Sequence, residues 1–170
     1  MQSGRHRLFV QGTALERTQF GALCWRSHAD GLQILLVTSR DTGRWVIPKG
    51  WPCDGLGPEA SAAREAWEEA GVEGAVDPRC LGLFSYDKGL TAQSSIPCVV
   101  GVYGLRVQRL QRRFPERKER RRKWFSLEKA ARKVDEADLC ALILSMNSIL
   151  PMPVPVGTAA ADGVETVRRP

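Results

Sequence analysis

Short apolar stretches, rich in β-branched and aromatic residues and bounded by turn formers, recur along the chain and predict strands. They are "QFGALCW" over 19–25, "LQILLVTS" over 32–39, "RWVIP" over 44–48, "LGLFSY" over 81–86, "IPCVVGVYGLRV" over 96–107 and "KWFS" over 123–126. The first two are joined by "RSHADG", a turn of residues that tolerate tight backbone geometry, so they are expected to lie side by side. Within the longest stretch, "CVVGVYGL" has the alternative of a buried helix, but its β-branched residues and two glycines favour a strand. A helical period appears twice. Over 58–70, Ala60, Ala63, Ala66, Trp67 and Ala70 gather on one side, the apolar stripe by which such a helix docks on a sheet. Pro58 suits a first helical position, Glu59 complements the positive helix start, and Gly71 can take the left-handed conformation that ends the helix. Over 134–150, "VDEADLCALILSMNSIL" predicts a second helix with Asp135 near its start and Leu139, Leu142, Ile143 and Met146 on one face. Together these elements predict an α/β fold, a mixed sheet between helices.

The first helix carries an anomaly. Glu65, Glu68 and Glu69 fall within an arc of roughly 100° opposite the alanines, so an outward acidic face is expected. Like charges three and four positions apart cost a few tenths of a kcal/mol per pair. A divalent cation would offset that cost: Glu65 and Glu69, one turn apart, can grip one Mg²⁺ or Mn²⁺ from the same side, since hard cations take oxygen ligands and keep waters of their own. Glu68, beside them, is left as a base. The plain alternative for such a face is simple solvation.

The wider stretch "GWPCDGLGPEASAAREAWEEAGV" over 50–72 sets a glycine, a long loop, Arg-Glu, an apolar residue, Glu-Glu and a final glycine in a spacing that resembles the Nudix box. One defining position departs: Leu56 stands where the box has a glutamate, and Glu59 follows three residues later. Beyond the box, "GALCWRS", "LLVTSRDTGRWVIPKG", the Phe84 region and "RRRKWFSLEKAARKV" look like segments of the diphosphoinositol polyphosphate and diadenosine polyphosphate branch of Nudix hydrolases, covering about 18–144. The branch has "PGGG" where this chain has "PKGW". The resemblance implies an α/β/α sandwich and Mg²⁺- or Mn²⁺-dependent hydrolysis of a phosphoanhydride bond. It assigns the metal to Glu65, Glu69 and the backbone carbonyl around Gly50, the general base to Glu68, and orientation of the acidic cluster to Arg64. It also singles out Arg120 as a phosphate contact, with Arg40 and Lys49 as further substrate contacts and Lys88 as a weaker one. Other chemistries of the same box, cleavage of nucleotide sugars or nucleoside triphosphates, stay open.

Composition limits the setting. A chain of 170 residues, 43% hydrophobic and 26% charged, fits one domain. Its domain is expected over 17–149, between a weakly patterned flexible arm over 1–16 and a proline-rich tail over 150–170. Five cysteines, Cys24, Cys53, Cys80, Cys98 and Cys140, show no paired metal spacing, and the early chain has no secretion signal, so a cytoplasmic setting is expected. Two histidines, His6 and His28, are too few for a histidine-rich zinc site or a Ser-His-Asp arrangement. No stretch is apolar for long enough to span a bilayer, which argues against a membrane partner. The run "RRFPERKERRRK" over 112–123 holds eight basic and two acidic residues, an excess equal to the +6 of the whole chain. Such a run raises local anion concentration, so a polyphosphorylated small molecule is the expected partner and RNA or another polyanion the rival one. Only Phe114 interleaves it, which gives little support to stacking on single strands. Within the run Glu116 and Glu119 are expected to pair with its cations, with metal ligation or base catalysis as the sharper alternative. Trp51 reads either as a stacking platform or as a packing lid, and Trp67 and Trp124 as structural.

Overall fold

The computed structural model describes residues 17–91 and 94–150. The expected arm, and all of the expected tail except Leu150, lie outside the described residues. Strands β1 (Arg17–His28), β2 (Gly31–Thr38), β3 (Trp45–Val46), β4 (Lys49–Gly50), β5 (Val72–Thr91), β6 (Ser94–Leu110) and β7 (Arg122–Ser126) form one sheet, with helices α1 (Pro58–Ala70), α2 (Leu127–Ala131) and α3 (Ala137–Ile149). The main path runs β3-β2-β1-β6-β5, while β4 pairs with β1 and β7 with β2. Only β1 and β6 are parallel, Arg17 standing opposite Cys98 and Trp25 opposite Arg106, so the sheet is mixed as expected.

Burial shows that both faces of the sheet are covered. Ala22, Leu23 and Cys24 on β1, and Ile34 to Val37 on β2, are consecutive residues with 0% exposure. Because successive strand side chains point to opposite faces, such runs require packing on each side. Ala62, Ala66 and Ala70 of α1, and Leu139, Ile143 and Met146 of α3, are equally buried in the same core. No helix among the described residues is long and apolar enough to cross a membrane.

The bounds of α1 match their signals. Pro58 opens it, and Gly71 closes it at φ 62°, in the left-handed region that glycine enters without a Cβ clash. A Cβ there would also meet the Phe114 ring at 2.7 Å. Its orientation matches expectation at Ala66 and Ala70, which are buried, and departs from it elsewhere. The buried side holds Ser61, Ala62, Ala66, Glu69 and Ala70, whereas Trp67 is 38% exposed and so is not on the docking face. The acidic arc is turned partly inward rather than out to solvent. Small residues at 61, 62, 66 and 70 let the helix approach β1 and β5 closely, which a tryptophan would prevent, and the inward carboxylate finds cationic partners there.

Candidate active site

At its C-terminal half α1 forms one wall of a cleft of about 510 Å³. The segment Lys49–Cys53, the turn after β2, the Tyr86–Gly89 part of β5 and two residues of the 112–121 loop, Glu116 and Arg120, supply the rest. Glu65, Glu68, Glu69, Gly50, Lys49, Arg40 and Arg120 all line it, so residues drawn from far apart in the chain are brought together. Arg64 does not line it and acts from behind: its Nε donates to Glu68 Oε1 at 2.7 Å, one turn along the helix. Leu56 and Glu59 both lie away from the cleft lining, and Leu56 is 43% exposed.

Glu65 lies against Gly50, so closely that a Cβ at that position would stand on the carboxylate. Absence of a side chain is therefore what lets the β4 backbone meet the acidic helix. Among the described residues Glu65 has no hydrogen-bond or ion-pair partner, and its carboxyl is pushed up by burial and, less strongly, by Glu68 and Glu116. Glu69 is more deeply set. Its Oε1 accepts from Arg120 Nη2 at 2.6 Å and its Oε2 from the Lys49 backbone N–H at 3.4 Å. Burial raises its carboxyl, and Arg120 and Lys49 draw it back.

Arg120 is held on every nitrogen. Besides Glu69, its Nε donates to Glu116 and its Nη1 to the Thr38 carbonyl at 3.0 Å, and its side chain is only 8% exposed. It reaches the cleft from the protein side, as a bridge between two carboxylates. Arg40 stands at the rim, 3.3 Å from Glu119 and 3.7 Å from Glu116. Lys49 Nζ donates to the Tyr86 hydroxyl at 2.9 Å, and that hydroxyl donates to Gln19 at 2.7 Å. Burial lowers the Lys49 ammonium to about 8, with Glu69 acting in the opposite direction. Trp51 has Lys88 and Arg17 over its ring at 5.0 and 5.7 Å, and Trp124 is covered by Arg26 at 4.1 Å.

The donor set suits a divalent cation. Among the described residues no three His, Cys, Asp or Glu side chains gather closely enough to enclose an ion unaided. Two carboxylates one turn apart and a backbone oxygen are nonetheless the partial, all-oxygen set that Mg²⁺ accepts while keeping several waters. Glu65, half-buried beside Glu68 and Glu116, has the charges of Arg120 and Lys49 acting on it but no ion pair among the described residues, and this is the observation that favours such an ion.

Several contributors carried little signal in the sequence. Arg44 reaches the cleft while paired to Glu136 at 2.7 Å. Gln19 and Tyr86 stand opposite the acidic helix and hold Lys49 in place. Gln19 and Tyr86 belong to β1 and β5, and Arg44 directly precedes β3, where apolar neighbours dominate the pattern.

The model of the NUDIX domain matches residues 16–142. Diphosphoinositol polyphosphate phosphohydrolase 3-alpha of Mus musculus is 32% identical over 110 residues, 64% of this chain and 63% of that protein. Nudix hydrolase 12, mitochondrial, of Arabidopsis thaliana is 36% identical over 105 residues, 58% of this chain and 50% of that protein. The chain thus spans about 63% of the length of the mouse relative and half of the plant one. Among solved structures, the C. elegans Ap4A hydrolase superposes with a TM-score of 0.59 at 20% identity, covering 81% of this chain and 100% of that one, a likeness of fold. A domain match over most of the chain, on a cleft built around the glutamates of its signature helix, places this protein in the Nudix family.

Proposed function

We propose that this protein is a divalent-metal-dependent hydrolase of a phosphoanhydride bond in a small, highly phosphorylated molecule, in the manner of a diphosphoinositol polyphosphate or a diadenosine polyphosphate. The observation that carries this reading is the meeting of Glu65, Glu68 and Glu69 in one cleft with Arg40 and Lys49 facing them. The names of the mouse relative and of the C. elegans structure favour the same substrate class.

Glu65, Glu69 and the Gly50 carbonyl would hold Mg²⁺ or Mn²⁺. Such an ion, when bound, neutralises phosphate charge and acidifies water. Glu68, free of the β4 contact that fixes Glu65, accepts the proton of the attacking water, and Arg64 keeps its carboxylate turned to the cleft. In-line attack at phosphorus expels a phosphate or nucleotide while Lys49 and Arg40 steady the phosphoryl oxygens. Five free cysteines fit a cytoplasmic setting. The rival reading, a polyanion-binding module, is weakened because Arg120 and Arg122 are already engaged with protein carboxylates and carbonyls.

Incubation with diphosphoinositol polyphosphates, diadenosine polyphosphates, nucleotide sugars and nucleoside triphosphates, with and without Mg²⁺ or Mn²⁺, tests the reading. Metal-dependent release of phosphate or nucleotide from the first two classes is expected. Preferred turnover of the other two would reassign the substrate. RNA binding with steep salt dependence and no turnover of any diphosphate would replace the enzyme reading altogether.

A further inference from the structure

Arg120 is the residue whose surroundings fit least well with a simple role as a phosphate contact. It is buried to 8% exposure in a loop otherwise crowded with exposed cations, and it joins Glu69 on α1 to Glu116 four residues before it. Its third nitrogen donates to the end of β2, at the Thr38 carbonyl, which fixes the plane of the guanidinium. A planar fork of this kind binds carboxylates in pairs, and burial strengthens the attraction by excluding water. Without it, Glu69 at 6% exposure would be a buried charge with only a 3.4 Å backbone contact and the neighbouring ammonium of Lys49 to offset it. Glu65, one turn earlier, feels Arg120 and Lys49 only at longer range and forms no ion pair among the described residues. The two glutamates of the signature pair are therefore in unequal states.

We propose that Arg120 is the resident counter-ion of the metal site: in the metal-free protein it neutralises Glu69 and Glu116, and a divalent ion gains Glu69 by displacing it. This rests on the reading that Glu65 and Glu69 are the metal ligands. Both oxygens of Glu69 are already engaged, Oε1 by Arg120 and Oε2 by the Lys49 N–H, and a divalent ion at this buried carboxylate would stand within a few ångströms of the guanidinium, so ion binding and the Arg120–Glu69 bond are antagonistic. The coupling is reciprocal, and loss of the guanidinium must tighten the ion. Displacement also leaves an arginine fork at the cleft beside the incoming phosphates, which reconciles its buried position with the phosphate role expected from sequence.

Equilibrium titration of the metal-free full chain with Mn²⁺, following free ion by electron paramagnetic resonance, separates the possibilities. Arg120→Gln is expected to bind Mn²⁺ on the order of 10-fold more tightly than the wild type. Its thermal midpoint should be lower without metal and show the larger rise when Mn²⁺ is added. Equal or weaker Mn²⁺ binding by Arg120→Gln overturns the proposal. Should that variant fail to fold, Arg120→Met, which also removes the charge while keeping much of the side-chain volume, is read in the same way. In the wild type, the arginine Nε–H resonance that Arg120→Lys lacks should move on addition of Mg²⁺, and a stationary resonance at saturating ion counts against displacement. Glu65→Gln and Glu69→Gln keep the two ideas apart. If both retain wild-type Mn²⁺ affinity, the ligand assignment itself has failed; if both lose affinity while Arg120→Gln is unchanged, the assignment stands and the counter-ion role falls.

Discussion

Glu68 and Glu69 are neighbours in sequence with different fates, and the difference is set by what each side chain meets. Glu69 points at the sheet, where a carboxylate is tolerated because Arg120 and the Lys49 backbone answer it. Glu68 stays at the edge of the cleft, tied only to Arg64, whose side chain is 54% exposed. An ion pair that open is screened by solvent, so Glu68→Gln should leave the thermal midpoint nearly unchanged. If Glu68 takes the proton of the attacking water, kcat should nevertheless fall by about 10²- to 10⁴-fold on whichever diphosphate the protein cleaves. Turnover close to wild type, measured beside an unchanged melting curve, would remove Glu68 from the mechanism. At this scale the sequence was informative about which carboxylates lie together, since helical spacing alone groups them. It said nothing of the bond between Arg120 and Glu69, which joins residues 51 positions apart.

For α1 as an element, the ends were legible and the buried face only in part, since Ala66 and Ala70 are buried as expected while Trp67 is not. Proline at the start and glycine at the end act through backbone geometry, which is local and therefore readable. Which side faces inward depends on what waits there, and counting alanines favoured the side that carries Trp67. Similarly, the first part of β5 was missed because "VEGAVDPRC" contains glycine, proline and aspartate and its ladder with β6 is broken by register shifts after Glu73 and Val76. The C-terminal end of α1 carries a second device that sequence spacing did not reveal. Arg122 donates to the Ala70 carbonyl and, at 2.8 Å, to the Gln111 carbonyl, so a cation from the start of β7 satisfies the negative end of the helix. Its ring contact with Phe114, 4.8 Å from the guanidinium to the centroid, holds the basic loop against the same helix end. Arg122→Ala should destabilise the protein by about 1–2 kcal/mol in a denaturant titration. Metal affinity should change little, because the Arg122 guanidinium meets backbone carbonyls and not the carboxylates of Glu65 or Glu69. No loss of stability would show that solvent caps the helix equally well.

Over the whole molecule, the net charge of +6 and the acidic helix are parts of one electrostatic arrangement. The excess cations of the 112–123 run are not a uniform attractive surface, since Arg120 and Arg122 are held internally and Arg40 of the rim pairs with Glu116 and Glu119. Arg40 and Lys88, which line the cleft, set positive charge at its rim above a floor of carboxylate. On the proposed function, a phosphorylated molecule would be drawn in by the rim and held at the floor when a divalent ion offsets the glutamates. Attraction at the rim acts over distance and through water, so salt screens it, with a Debye length of about 10 Å at 0.1 M. Contacts made during bond cleavage are short and shielded from solvent, so salt affects them little. At fixed free Mg²⁺, raising monovalent salt from about 50 to about 300 mM should therefore raise KM several-fold and leave kcat within about a factor of two. A KM independent of salt would mean that the basic run takes no part in capture and that recognition is confined to contacts inside the cleft. A kcat that falls with KM unchanged would instead place the screened charges in the transition state, and would point to Arg40, the most exposed cation facing the glutamates, as the group to replace first.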